Sequence, residues 1–375
     1  MKIAMYTICK NEEKHVERWL RSAAEADGIF VLDTGSEDRT RELFQDRVNL
    51  HVATFHPFRF DTARNMILNQ IPEDYDLAVF LDLDEQLEPG WRAKIEAITV
   101  PYDSLSFRMI FNREADGAPG LVYHRVQAHR LNKFVWMYPA HEILFPLRPD
   151  TIELATDIEV EHLPDREKSR SDYLSLLEIG AQEMPHDQRM CQYLAREYMY
   201  RAQYHDAILQ YTRHLEICRE PALRSESYRN LARCYQQTYS ESQAEFALLR
   251  ALAETPYQRE PYGELSSFYQ QQGDVQRCLA FALACLSVPE SERYILRERK
   301  YYREWPHHMA AWAYEQLGAR DLSIEHIKKA VNLNPLNPHV LQDYVNMTGE
   351  MPVEILQKID NKELKVSYES PSSGN

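Results

Sequence analysis

An apolar run of strand length, Leu77 to Leu81, leads directly into Asp82, Leu83, Asp84 and Glu85, so three carboxylates crowd the point where a buried strand emerges. Period-two alternation puts Asp82 and Asp84 on the same side of an extended chain. Two like charges so placed repel unless a hard divalent cation with oxygen ligands lies between them. The bland alternative is a polar strand end followed by a Pro89-Gly90 turn, and the rest of the chain decides between the two.

Upstream, Lys2 to Cys9 read as a short buried strand. Asn11 is a candidate N-cap for a helix whose apolar positions Val16, Trp19, Leu20 and Ala23 follow helical spacing. A second strand, Ile29 to Leu32, ends at Asp33. Thr34-Gly35-Ser36 then turns into a helix with Glu37 and Asp38 in its first turn. A third strand, roughly Val48 to Phe55, precedes Asp61, which caps a helix carrying Ala63, Ile67 and Leu68. Strands alternating with helices imply a mainly parallel sheet covered on both faces, where ligands sit beyond the carboxyl ends of the strands. Thr7 to Asn11, Asp33 to Ser36 and Asp82 to Glu85 all lie at such ends, so segments far apart in sequence are expected to converge on one crevice.

From Ser104 the texture changes to hairpin-like segments joined by a loop containing Asp116-Gly117 and Pro119-Gly120. His141-Glu142 and an alternating strand, Ile158 to Leu163, follow, and the first domain, residues 1–165, is expected to end near Asp165. Residues 171–348 read as helical repeats of tetratricopeptide type, because Tyr198, Tyr235, Tyr269 and Tyr314 recur 37, 34 and 45 residues apart in similar contexts. Small residues, Ala207 and Ala244, hold the second-helix position, Pro221, Pro256, Pro289 and Pro335 punctuate the units, and the last unit is the most regular. Residues 349–375 form a tail whose polar end reads as disordered.

A net charge of −15 disfavours a broad nucleic-acid or anionic-membrane surface. No apolar run is long enough to span a bilayer, and the N-terminus lacks a signal peptide's apolar stretch, so a cytoplasmic protein is expected. The six cysteines show no CxxC pairing and read as buried free thiols.

TICKNEE, LDTGSEDRT, FDTARN and FLDLDE, in that order and spacing, resemble the family 2 glycosyltransferases of GT-A fold. The resemblance covers roughly residues 1–165 and looks closest to the bacterial SunS-type branch with tetratricopeptide-like helices. It implies an α/β GT-A domain followed by an all-α repeat domain, and a metal-dependent, inverting transfer from a nucleotide sugar, UDP-linked by expectation. By that resemblance Thr7, Lys10 and Asn11 would line the uridine pocket and Asp33 would meet base or ribose. Arg64, with Asn65, would serve the diphosphate or nucleotide site. Asp82 and Leu83 would touch the donor, Asp84 with Asp82 and His162 would hold Mn²⁺ or Mg²⁺, and Arg130 would stabilise the diphosphate. Glu142 would be the base, oriented by His141, with Asp116 in reserve. The acceptor is expected to be a peptide, protein or surface glycan. A hydroxylated DNA base is the weaker alternative, and a non-catalytic scaffold is the rival from another class. Self-association through the repeats is a further expectation.

Overall fold

The computed structural model describes residues 1–113, 117, 119–165, 173–290 and 298–352. Two compact units divide the chain, Met1–Pro185 and His186–Asn375.

The first unit begins with β1 (Ile3–Cys9), α1 (Glu13–Ala23), β2 (Gly28–Asp33), α2 (Thr40–Phe44), β3 (Asn49–Val52), α3 (Phe60–Leu68) and β4 (Leu77–Phe80). There follow β5 (Glu85–Leu87), α4 (Trp91–Glu96), β6 (Ser104–Ile110), β7 (Val122–His129), a separate hairpin of β8 (Phe134–Met137) and β9 (Ile143–Pro146), β10 (Glu153–His162) and α5 (Leu174–Glu183). The eight-stranded sheet has the order β3-β2-β1-β4-β7-β6-β10-β5. β1 to β4 are parallel neighbours, β10 runs parallel to β6, and only β7 and β5 oppose the strands beside them. This is an α/β unit with a mainly parallel sheet.

Alternation along β1 feeds both layers. Ile3 and Met5 pack with Val16, Trp19, Leu20 and Ala23 of α1, whereas Ala4 and Tyr6 face Ala63 and Ile67 of α3. A buried aliphatic side chain of this kind contributes roughly 1.5–3 kcal/mol relative to exposure. Trp19, fully buried, also donates its indole N–H to the carbonyl of Leu81 (2.9 Å), which fixes the chain just before Asp82.

Several local expectations shift. α1 starts at Glu13 without a side-chain cap, and Asn11, at φ 56°, turns its side chain to the neighbouring loop. Glu37 and Asp38 precede α2 rather than forming its first turn, and β3 is shorter than expected. Asp61 lies inside α3 and pairs with Arg59 (2.9 Å) instead of capping the helix. α5 belongs to the first unit, whereas the sequence reading places helices from residue 171 in the second; Arg59 joins Glu183 (2.6 Å) and Phe60 meets the ring of Tyr173 (5.8 Å), contacts that sequence spacing does not reveal.

The second unit is a stack of antiparallel helix pairs: α6 (Gln188–Tyr200) with α7 (Tyr204–Ile217), α8 (Pro221–Gln237) with α9 (Glu241–Glu254), α10 (Arg259–Gln271) with α11 (Val275–Ser287), and α12 (Trp305–Gln316) with α13 (Arg320–Leu333). α14 (Pro338–Thr348) packs on α13, and a 3-10 turn, Arg299–Tyr302, lies between α11 and α12. The recurring tyrosines all sit on first helices. These helices touch in succession, α6 with α8, α8 with α10, α10 with α12, and so share one face of the stack. Ala207 and Ala244 are fully buried where second helices cross first ones. All six cysteines are buried free thiols. Among the described residues no helix is long and apolar enough to cross a membrane. Most of the C-terminal tail, from residue 353, lies outside the described residues.

Candidate active site

The carboxyl ends of β1, β2 and β4 lie side by side, because Tyr6 registers with Phe80 and Cys9 with Asp33. Two loops there are laced together by reciprocal bonds. Asn11 accepts from the amide of Glu37 (2.7 Å) through Oδ1, and its own amide donates to the hydroxyl of Ser36 (2.9 Å). Asp38 accepts from the amides of Thr40 (3.0 Å) and Glu13 (3.1 Å), while Glu13 accepts from that of Arg39 (3.1 Å). Asp33, fully buried, binds its own turn: Oδ1 accepts from the amides of Gly35 (3.0 Å) and Ser36 (2.9 Å) and pairs with Nε of Arg41 (3.0 Å). Gly35 takes φ 110°, a conformation open to glycine and strained for other residues. Thr7 is also fully buried, whereas Lys10 is exposed beside these loops.

After β4 the chain does not stay extended. The amide of Glu85 donates to the carbonyl of Asp82 (3.0 Å), closing a turn that separates the two aspartates. Period two therefore fails at this point. Asp82 turns to Arg64, whose Nη2 donates to its Oδ1 (2.7 Å), and Asp84 turns to Nε2 of His162 (3.3 Å). Leu83 joins the apolar core at 3% exposure, so its side chain is placed to pack rather than to touch a donor. Among the described residues no three His, Cys, Asp or Glu side chains are gathered to hold a metal ion. Asp84 and His162 do supply an anionic oxygen and a ring nitrogen at the separation of neighbouring ligands, which in an octahedral shell with bonds near 2.1 Å is about 3 Å. That pair offers two ligands to a divalent ion, while Asp82 is engaged by Arg64. The bond to Asp84 raises the pKa of His162. Burial opposes ionisation of Asp84, but His162 holds its carboxyl below the usual range. His162 also stacks on Phe111 (4.6 Å between ring centres).

Arg64 is the hub. At 5% exposure it donates through Nε to Glu142 (2.7 Å) and through Nη2 to Asp82, and it lies over the ring of Trp136 (4.7 Å). Two anions thus share one cation, and its Nη1 has no partner among the described residues. Neighbouring Asn65 accepts from the amide of Trp136 (2.9 Å) and donates to its carbonyl (2.9 Å), anchoring the hairpin of β8 and β9 that carries Glu142 to α3. His141 takes φ 53°, a strained conformation for a non-glycine residue, and its ring lies 5.5 Å from that of Tyr173.

Arg130 is not brought to this cluster. β7 opposes β4 with His129 beside Ala78, so Arg130 sits at the amino end of β4, roughly 16 Å of extended chain from Asp82, and donates to the carbonyl of Tyr102 (2.9 Å). The arginine that the register delivers near Asp82 is Arg125, which binds both oxygens of Glu85 (2.7 Å each) with Gln127 alongside (3.3 Å). Burial pushes the Glu85 carboxyl up, and Arg125 opposes this. The missed signal was the polar alternation of Arg125, Gln127 and His129 along one side of β7. Asp116, the reserve base, lies outside the described residues.

Residues 5–117 match the family model described as Glycosyl transferase family 2, and residues 307–335, which span α12 and α13, match the one described as Tetratricopeptide repeat. No curated protein matches the chain. Similar solved structures include "Crystal structure of MamA", 18% identical, covering 43% of this chain and 86% of that one at a TM-score of 0.37. The APC/C hetero-tetramer Cut9-Hcn1 is 16% identical, covering 49% of this chain and 33% of that one at 0.38. A thermophilic TPR protein of Thermus thermophilus is 17% identical, covering 47% of this chain and 89% of that one at 0.34.

Proposed function

We propose that this chain, which carries a glycosyl transferase family 2 domain at its N-terminus and a tetratricopeptide repeat toward its C-terminus, moves a sugar from a UDP-linked donor to a peptide or protein acceptor in the cytoplasm, with inversion. Glycosyl transfer is the general activity that such a domain supports. The donor, the metal and the acceptor are our own reading. The observation that carries it is the junction made by Arg64, which joins the strand-end carboxylate of Asp82 to Glu142 at the carboxyl edge of the sheet.

In this reading the interlaced loops around Asn11 and Ser36 line the nucleoside side, and Asp82 meets the ribose or diphosphate end of the donor. Asp84 and His162 would hold a divalent ion, Mn²⁺ or Mg²⁺, which when bound neutralises charge on the departing diphosphate. Glu142 takes the proton from the acceptor as general base. Arg64 fixes one of its oxygens, leaving the other to accept, so the carboxylate is oriented before substrate arrives. The left-handed turn at His141 aims this segment, and the repeats recruit the acceptor polypeptide.

The test is a panel of nucleotide sugars with Mn²⁺, read by melting temperature and by nucleoside diphosphate release with and without peptide. Stabilisation by one donor, lost in Asp84→Ala along with metal dependence, is expected. Full transfer in EDTA would refute the metal assignment, and no donor response from any sugar would favour a scaffold.

A further inference from the structure

The connection between α11 and α12 is much longer than the other links between helices of the second unit, and its described end lies on the shared face of α8 and α10. Glu298 is the pivot. Its Oε1 accepts from Arg229 Nη1 and lies 3.5 Å from Arg233 Nη2, while both guanidiniums also bind Glu264, at 3.0 Å from Arg229. Arg229 is only 8% exposed, and its Nε has no partner among the described residues. The backbone is captured as well: the amide of Glu298 donates to Glu260 Oε1 (3.0 Å), and the hydroxyl of Tyr302 donates to Oε2 of the same carboxylate (3.0 Å). Three residues after Glu298, Tyr301 is buried to 2% exposure in a seat cut by Gly263, where an added Cβ would come within 2.1 Å of its ring. Carboxylate, main-chain amide, aromatic ring and phenol are thus each met by a matching group on two helices. A peptide ligand would need the same contacts.

We propose that this face of α8 and α10 is a binding site for a peptide with a carboxylate three residues before an aromatic ring, and that Glu298–Tyr302 holds it as an internal competitor. The electrostatics favour that ligand class. With Glu298 withdrawn, Glu264 is the one anion paired with Arg229 and Arg233 among the described residues, and a buried guanidinium left short of anions draws in another carboxylate. Tethering gives the internal segment a high effective concentration, so an external peptide sees its affinity reduced by the fraction of sites left open. Peptide binding at this face is measurable without any sugar transfer, so its failure and that of the proposed reaction are told apart.

The test uses the full chain and a fluorescent peptide with the sequence of residues 298–304, read by anisotropy. If the internal segment occupies at least nine-tenths of sites, Glu298→Ala with Tyr301→Ala should bind the peptide about tenfold or more tighter than the unaltered chain. Glu298→Gln, nearly isosteric, guards against misfolding of the double variant and should give a smaller gain. Adding Arg233→Glu should abolish the gain, and a peptide with Gln for its first Glu should lose most of the affinity. Equal binding by the unaltered and both substituted chains, or binding indifferent to that Glu, overturns the proposal, as does no binding to any of them.

Discussion

Replacing Glu142 by Gln separates a catalytic carboxylate from one that only neutralises Arg64. The side chain is 12% exposed and one oxygen accepts from Arg64 Nε at 2.7 Å, a bond a Gln carbonyl can also accept with the same shape. What changes structurally is the charge. The guanidinium keeps its bond to a Gln carbonyl charge-assisted, so only the ion-pair attraction is lost, roughly 1 kcal/mol, or about 2–4 °C in melting temperature for a unit of this size. The chemical loss is much larger. A missing general base costs about a hundred- to ten-thousand-fold in kcat, about 3–5 kcal/mol of barrier, since each factor of ten is worth about 1.4 kcal/mol. Steady-state transfer, donor affinity and calorimetry on one preparation read all three quantities. A drop in kcat within that range, with donor affinity unchanged and a shift of only a few degrees, is the expected outcome. An unchanged kcat would refute the assignment and leave Glu142 as the counter-ion of Arg64 alone, moving the base to His141 or Asp116.

Arg64→Lys keeps the charge but offers a single point donor where the guanidinium reaches two carboxylates, so about 2 kcal/mol should be lost; Asp82 is 31% exposed, which argues for the lower end, and a urea midpoint within about 0.2 M of the unaltered protein would contradict the bridge. His129 is held neutral: burial lowers its pKa to about 4, and Tyr6 bonds its Nε2 (2.8 Å). Because the folded pKa lies below the ordinary value of about 6.5, its contribution is complete above that pH and is lost as pH falls toward 4, up to about 3 kcal/mol. Urea midpoints across that window should fall less steeply in His129→Gln, and parallel curves would refute this. A fragment of residues 1–185 should melt at higher temperature than one of residues 1–168, which lacks the Arg59 partner Glu183 and the ring of Tyr173; equal melting would show that α5 adds nothing.

The alternation of strands and helices, the buried face of α1 and the repeat pairs were legible because each is a local periodicity. The clustering of Asp82 with Arg64 and Glu142 was only half legible. Motif order brought the right segments to one edge, but which carboxylate meets which cation depends on the turn that closes at Glu85, and no period announces that turn. Asp33 and Asn65 became candidates through the resemblance alone; in the fold Asp33 accepts from the main chain of Gly35 and Ser36, and Asn65 pairs with that of Trp136, bonds no motif announces. Arg130 and Arg125 differ by an odd number of positions on one edge, and only the antiparallel register of β7 against β4 decides which end of the sheet each reaches. The long link between α11 and α12 was visible as the 45-residue interval between Tyr269 and Tyr314, yet nothing in that spacing says where its end docks.

The reciprocal bonds between the Asn11 and Ser36 loops make them a single mechanical part assembled from two genetic ones. Neither loop can open while the other stays closed without leaving amide groups on both unpaired, so their amides should exchange with solvent at a common rate set by one opening event. A chimera that imports one loop from another enzyme would inherit a lock without its key. Redesign of this edge of the sheet must therefore transplant residues 10–13 and 36–40 together.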